Sequence, residues 1–293
     1  PDTGADDRAR ARFTAAVASA RSASTRHVSL AVPFRAAERN RRVAASVLAG
    51  GIAYRLFLWL LPLGLILGGA LGLMDADSTE EAIATGGLPA AVVDVIGDVA
   101  RAAESDWWWL LGIGVPLLLW AGYTGAKAVQ LIHSLVWDEP PPRTNPLKSS
   151  IFFTGVLCAF MVAAGVTWWL RDESALVGLL AAALATAPLA AFWLWTSLRL
   201  PHGDASWRAL LPGAILVAIG FQVLHVLIVE FLVPKLEKST TLYGSLGAMT
   251  TLLFFMYLVG KLVVTAPILN SSLHHELRVH GDAGREDADR PRA

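Results

Sequence analysis

Apolar and polar positions fall in long blocks along this chain, without the short alternation of a soluble domain. Beyond residue 42 there are six apolar runs: roughly Val43 to Met74, Trp107 to Ala126 with its helical pattern continuing to Trp137, Ser150 to Leu170, Ala175 to Leu198, Ala209 to Val233, and Ser245 to Leu269. A bilayer core of about 30 Å is crossed by around 20 apolar residues in a helix, because every backbone N–H and C=O must find its partner inside the segment. Each run is near that length. The pattern predicts an all-α, polytopic membrane protein with six transmembrane helices.

The connections sharpen this. Arg171-Asp172-Glu173-Ser174 joins the third and fourth runs, which predicts a tight antiparallel hairpin. The segment 75–106 is the only sizeable outer loop, and it is acidic, with Glu80, Glu81, Asp94, Asp98 and Glu104. Within it, Leu88–Ala103 sets Val92, Val93, Ile96 and Val99 on one helical face, so an amphipathic extracytoplasmic helix is predicted between helices 1 and 2. It would lie on the membrane surface or close over a pathway as a lid. The chain then divides into a basic N-terminal arm (1–42), a six-helix domain (43–273) and a polar C-terminal tail (274–293).

Composition agrees. Hydrophobic residues make up 55% of the chain and charged residues only 16%, against about 25% charged in ordinary soluble domains. The mean hydropathy is +0.52. A formal net charge of zero gives no reason to expect a nucleic-acid partner. The single cysteine, Cys158, excludes an internal disulfide and a thiolate metal site. No cleavable signal peptide is read at the start.

Orientation follows from the distribution of lysine and arginine. With the N-terminus inside, segments 1–42, 138–149, 199–208 and 271–293 hold 17 basic residues, and the outer segments hold 4. Both termini are therefore expected in the cytoplasm. The tryptophans fit this placement. Trp107, Trp108, Trp109, Trp168 and Trp169 would mark the outer headgroup level, and Trp137, Trp193, Trp195 and Trp207 the inner one. Nine arginines crowd the N-terminal arm, which reads either as an interfacial helix binding anionic headgroups or as a disordered basic tail.

An ionisable side chain in hydrocarbon costs about 2.5–3.5 kcal/mol on insertion scales, so each one calls for an explanation. Arg55 lies about 18 Å along its helix from Val43 at 1.5 Å per residue, and Lys261 and Lys127 sit toward the inner ends of theirs. Three cations without a matching carboxylate would suit an anion such as a lipid phosphate, with Tyr54, Tyr123 and Asn270 nearby in depth. Against this, lysines can snorkel to the headgroups, and Arg55 can pair with backbone carbonyls. On the fifth run Gln222 and His225 share a face, and His225 reads either as a proton relay or as an interhelical hydrogen-bonding group. Gly64, Gly68 and Gly72 follow small-xxx-small spacing, which suits close contact within the bundle or between two copies in a homo-oligomer. Pro62, Pro116, Pro188 and Pro267 free backbone carbonyls inside the runs.

Enzyme signatures are missing from the sequence. The seven histidines are scattered, without the clustered His and Asp ligands that metal-dependent hydrolysis needs. Neither a phosphate-binding loop nor a nucleophile elbow appears. No cofactor and no catalytic residue are expected.

Motifs toward the C-terminus resemble a known family. Leu200-Pro201 precedes Trp207-Arg208-Ala209-Leu210-Leu211-Pro212-Gly213-Ala214, and Tyr243-Gly244-Ser245-Leu246-Gly247-Ala248 opens the last run, which contains Tyr257. Near the front, Ala53-Tyr54 precedes Leu60-Leu61-Pro62. Residues 40–273 resemble the YihY/BrkB family of bacterial inner-membrane proteins, whose older label is ribonuclease BN. The chain departs from that pattern in two places. Phe57-Leu58-Trp59 occupies the region where the family carries a serine, and Ala266-Pro267-Ile268-Leu269-Asn270 keeps the asparagine of Gly-Ala-Glu-Leu-Asn without its glutamate. The resemblance implies six helices, an inner-membrane location, lipid or solute export and a role in virulence. Taken with the cations, the expectation is a transporter-like protein handling an anionic amphiphile or lipid. The alternative is a membrane scaffold that recruits partners through its basic arm.

Overall fold

The computed structural model describes residues 28–72, 106–171, 175–227 and 233–288, which form helices and short connections with no strand among them. The helices are α1 (Val28–Arg42), α2 (Ala45–Gly72), α3 (Trp107–Trp137), α4 (Pro146–Arg171), α5 (Ala175–Ser197), α6 (Trp207–Leu227) and α7 (Val233–Ala288). Stretches of α2, α3, α4, α6 and α7 are long and apolar enough to cross a membrane. The 23 residues of α5 carry no charge. Large apolar side chains stand on the outer surface, among them Val47 (73% exposed), Val162 (65%) and Phe254 (61%). An apolar circumference of this kind suits lipid and not water. The chain is a polytopic all-α membrane protein.

Local chemistry sets the helix ends. Asn145 caps α4, its Oδ1 accepting from the N–H groups of Leu147 (3.0 Å) and Lys148 (3.3 Å), with Pro146 in the first turn where its missing N–H does no harm. Asp138 closes α3 in the left-handed conformation (φ 55°) ahead of Pro140-Pro141-Pro142. Leu200-Pro201 and Gly203 (φ 57°) turn the chain from α5 into α6.

In lipid, helices associate by close packing and not by a hydrophobic force, so small residues sit at their contacts. Gly260 of α7 lies against the Ala49 carbonyl of α2, and Trp59 and Phe255 meet around one cavity, so these two helices run antiparallel. Gly69 and Gly114 bring α2 against α3, while Gly213 and Gly220 bring α6 against α7. Ile52, Leu56, Trp59, Ile132, Phe153, Val264 and Ile268 build the larger core.

Several boundaries differ from the sequence expectation. The first run does not begin the bundle alone. Part of the basic arm forms α1, separated from α2 by a break where Ala44 takes a positive φ of 49°. The last helix starts at Val233, with Pro234 in its first turn, and continues through the polar tail to Ala288, because no proline interrupts 274–288. Trp193 is not an interfacial marker: it is 5% exposed and packs inside the bundle, whereas Trp195 (43%) and Trp207 (52%) do face outward. Residues 1–27, the helix expected at 88–103, the hairpin turn at 172–174, and the side chains of Trp168 and Trp169 lie outside the described residues.

Candidate functional site

A cavity of about 320 Å³ lies where α2, α4, α5, α6 and α7 meet. That volume falls in the range of small-molecule pockets, about 300–1,000 Å³. Among the described residues its walls are apolar side chains, with Trp59 and Trp193 the lining residues that carry an N–H, and the Trp59 N–H is engaged by Thr154 Oγ1 at 3.2 Å. Phe160 stands edge-on to Trp193, ring centres 6.0 Å apart, and 4.9 Å from Phe221. A smaller cavity of about 60 Å³ shares Leu56, Val156 and Trp193 with the first and reaches Gln130, Thr196 and Leu200 near the loops 138–145 and 198–206.

The three expected cations stand on three different helices, α2, α7 and α3. Arg55 is half-buried on α2 and makes no hydrogen bond or ion pair among the described residues, and Leu56 beside it lines the cavity while Arg55 does not. Lys261 is half-buried on α7, where its carbonyl accepts a bond from Thr265 Oγ1 at 2.7 Å. Because Gly260 packs on Ala49, Lys261 sits near the level of Ala49, and Arg55 lies about 9 Å further along α2 at 1.5 Å per residue. Lys127 is exposed and its Nζ stands 4.9 Å from the centre of the Tyr123 ring, a cation–π contact. Tyr54 faces outward, 55% exposed. Gln222 is half-buried and engaged, and the side chain of His225 lies outside the described residues. On the glycine stripe, Gly64 is exposed with open space around it and Gly68, one turn on, is buried. The environment of Gly72 falls outside the described residues.

Asn270 has a definite task. It is 2% exposed; its Oδ1 accepts from Gly213 N–H at 2.6 Å and its Nδ2 donates to the Leu210 carbonyl at 3.1 Å. Both ends of the amide are thus engaged with the backbone of α6 beside Pro212. Pro267, one turn earlier on α7, is buried at the same contact, where the Ala266 carbonyl faces Gly213. Two proline-interrupted helices are pinned together here. The carbonyls that Pro212 and Pro267 leave without a helical N–H are those of Arg208 and Val263, so the amide adds a link between the two helices and does not replace those bonds.

Charge collects at the end of the bundle formed by these loops. Arg35 of α1 pairs with Glu276, a carboxylate 4% exposed, and also bonds His275 at 2.9 Å. Arg39 pairs with Asp138 at 2.7 Å. Asp204 accepts from Arg278 at 2.8 Å and stands 3.5 Å from His274 Nε2, at ion-pair range without hydrogen-bond geometry. The Arg278 guanidinium holds the Asp204 carboxyl below the usual carboxylate range, with a smaller contribution from His274. Among the described residues no three His, Cys, Asp or Glu side chains gather as metal ligands.

The sequence reading missed two features. Trp193 looks in sequence like one more interfacial tryptophan, since Trp195 two residues on does face outward and helical phase alone does not say which of the two turns in. The Arg35–Glu276 and Arg39–Asp138 pairs join residues far apart in the chain, which no local pattern reveals. The Leu210-Leu211-Pro212-Gly213 motif and Asn270 were both visible as family-like features, without a sign that they bond one another.

Among relatives, the chain is 25% identical over 186 residues to the YfkH protein of Bacillus subtilis (strain 168), named ribonuclease-like, covering 56% of this chain and 66% of that one. It is also 25% identical over 181 residues to the inner membrane protein YhjD of Escherichia coli (strain K12), covering 53% of this chain and 52% of that one. The matched regions thus span about two thirds and about half of those relatives' lengths. No solved structure matches. The family described as virulence factor BrkB matches residues 36–291, which takes in α2 through α7 and the Asn270 junction. The chain belongs to the BrkB family of membrane proteins.

Proposed function

We propose that this chain is a transporter-like protein of the bacterial inner membrane, handling an anionic amphiphile or lipid, with both termini in the cytoplasm and no catalytic chemistry of its own. The observation that carries the reading is the cavity at the meeting of five helices, of a size for hydrocarbon and lined, among the described residues, by apolar side chains. Cations stand on two helices that wall it, Arg55 beside Leu56 and Lys261 beside Leu262. They would attract an anionic headgroup at the rim while the chain occupies the interior. The paired proline interruptions of α6 and α7 supply helices able to change angle. The inner-membrane location is supported by the name of YhjD, and the lipid reading by the cavity alone.

The test is lipid translocation in proteoliposomes, comparing wild type with Arg55→Ala and Lys261→Ala at matched reconstitution. Movement of anionic lipid by the wild type and its loss in the variants supports the reading. A wild type that moves no lipid removes it. The scaffold reading then takes its place, favoured by α1, a basic helix held against the loop end of the bundle by the Arg35 and Arg39 ion pairs.

A further inference from the structure

We infer that the outer face shared by α4 and α5 at their loop end binds an anionic phospholipid, its phosphate held between Lys148 and Arg199 and an acyl chain lying on Phe152 and Trp195. This face is separate from the central cavity, since Lys148, Trp195 and Arg199 line neither cavity. The two helices run antiparallel. Phe152 of α4 meets Trp195 of α5 with ring centres 5.6 Å apart, and further in Phe160 meets Phe192 at 5.7 Å. Phe192 also stacks on Trp195 at 5.9 Å. Trp195 is 43% exposed and Ile151, next to Phe152, is 59% exposed, so this aromatic cluster opens outward to lipid.

Lys148 stands four residues before Phe152, and Arg199 four residues after Trp195. Because the helices are antiparallel, both steps lead to the same end, and each cation lies about one turn, roughly 6 Å, beyond the ring it follows. The Arg199 guanidinium lies over Trp195, 4.6 Å from the ring centre, which fixes its place. Both cations are exposed, and neither has an ion pair among the described residues. Arg35, Arg39 and Arg278 at the same end of the bundle each have a carboxylate. Two like charges above one pair of rings repel each other, and a phosphate between them turns that repulsion into attraction. Stacking leaves the N–H edge of the guanidinium free for phosphate oxygens, and the lysine adds a mobile point charge. Lys148 falls in the first turn of a span that begins at Pro146, which sets it at headgroup depth. A soluble phosphate would use the cations and leave the rings bare, whereas a phospholipid uses both.

The test uses the full-length protein in nonionic detergent, delipidated and titrated by native mass spectrometry. The ligands are phosphatidylglycerol and phosphatidylcholine with the same chains. The wild type is expected to bind its first phosphatidylglycerol about tenfold more tightly, each cation supplying about threefold. Lys148→Gln combined with Arg199→Gln should bring the two lipids to within about twofold of each other. Arg278→Gln, which removes an exposed arginine already paired with Asp204, should leave the preference as it is. Glycerol 3-phosphate, which carries the phosphate without chains, should displace no lipid at equal concentration. Equal affinity of the wild type for the two lipids would overturn the assignment. So would a preference that survives the double variant, an equal loss in Arg278→Gln, or displacement by glycerol 3-phosphate. The wild-type comparison and the competition need no variant, so they decide the matter even if a variant does not fold. Neither reads translocation, so the transport reading stands or falls by its own assay.

Discussion

Replacing Asn270 by alanine tests whether the contact between α6 and α7 is held by the amide or by apolar packing alone. The substitution deletes the acceptor for Gly213 N–H at 2.6 Å and the donor to the Leu210 carbonyl at 3.1 Å, at a site 2% exposed. A buried donor left unpaired costs about 1–3 kcal/mol, while side-chain bonds inside membranes average about 0.6 kcal/mol. Together these give about 2 kcal/mol, roughly a 30-fold change in the folding equilibrium. Gly213→Ala approaches the same contact from the other side. A methyl there would lie 2.5 Å from Asn270 Nδ2 and 2.7 Å from both Asn270 Oδ1 and the Ala266 carbonyl. The amide can yield, but the backbone carbonyl cannot, so overpacking of about 1–3 kcal/mol outweighs the ~1 kcal/mol that alanine gains over glycine in a helix. Two of the three close contacts belong to Asn270, so the double variant should lose less than the sum of the single ones. Reversible unfolding in mixed micelles, followed by circular dichroism as the denaturing detergent fraction rises, measures all three. An Asn270→Ala protein within about 0.5 kcal/mol of wild type, or strict additivity in the double variant, would refute the reasoning.

Other expectations concern the remaining contacts. Glu276→Gln should destabilise the protein by about 1–3 kcal/mol, less than the 3–5 kcal/mol of a wholly buried pair because Arg35 is 41% exposed, and the same unfolding assay reads it. Trp59→Phe removes the bond from Nε1 to Thr154 Oγ1 at 3.2 Å between α2 and α4, and a double-mutant cycle with Thr154→Val should return about 0.5–1 kcal/mol of coupling. The Arg278 guanidinium holds the native Asp204 carboxyl below the ordinary carboxylate range, so the unfolded chain binds the proton more readily than the native one. Its stabilising contribution is complete above the ordinary carboxylate range and is lost as pH falls through the lower native value. Acid titration of wild type and Asp204→Asn should therefore diverge at near-neutral pH and converge in strong acid.

Much of the fold was legible because the bilayer leaves few choices. Runs of spanning length cannot be anything but helices, and so α2 through α6 stand close to where hydropathy put them. The ends of α7 were not legible, since a helix leaving the membrane needs no apolar run to continue. Residues 274–279 remain helical on polar side chains that pair with α1 and with Asp204. The site divides in the same way. Single residues that lipid would penalise, such as Arg55 and Lys261, stand out in a sequence. The cavity does not, because Phe160, Val217, Phe255 and Trp193 are ordinary apolar residues until five helices are brought together. Asn270 was noticed for its polarity and then read as a ligand-binding group, whereas its bonds are to the backbone of its own bundle.

The length of α7 has a mechanical consequence. Its 56 residues make a rod of about 84 Å, against about 40–45 Å for a bilayer with its headgroups, so a long arm extends past the membrane on a pivot at Pro267. A bend of about 10° at that proline would swing Ala288 sideways by about 5 Å and Glu276 by about 2 Å, at 1.5 Å of arm per residue. The brace α1 is fastened at two points, to this arm through Arg35 and Glu276 and to the end of α3 through Arg39 and Asp138. It therefore spans the joint as a tie-rod does. A change in the angle between the arm and α3 would therefore load one of these two ion pairs.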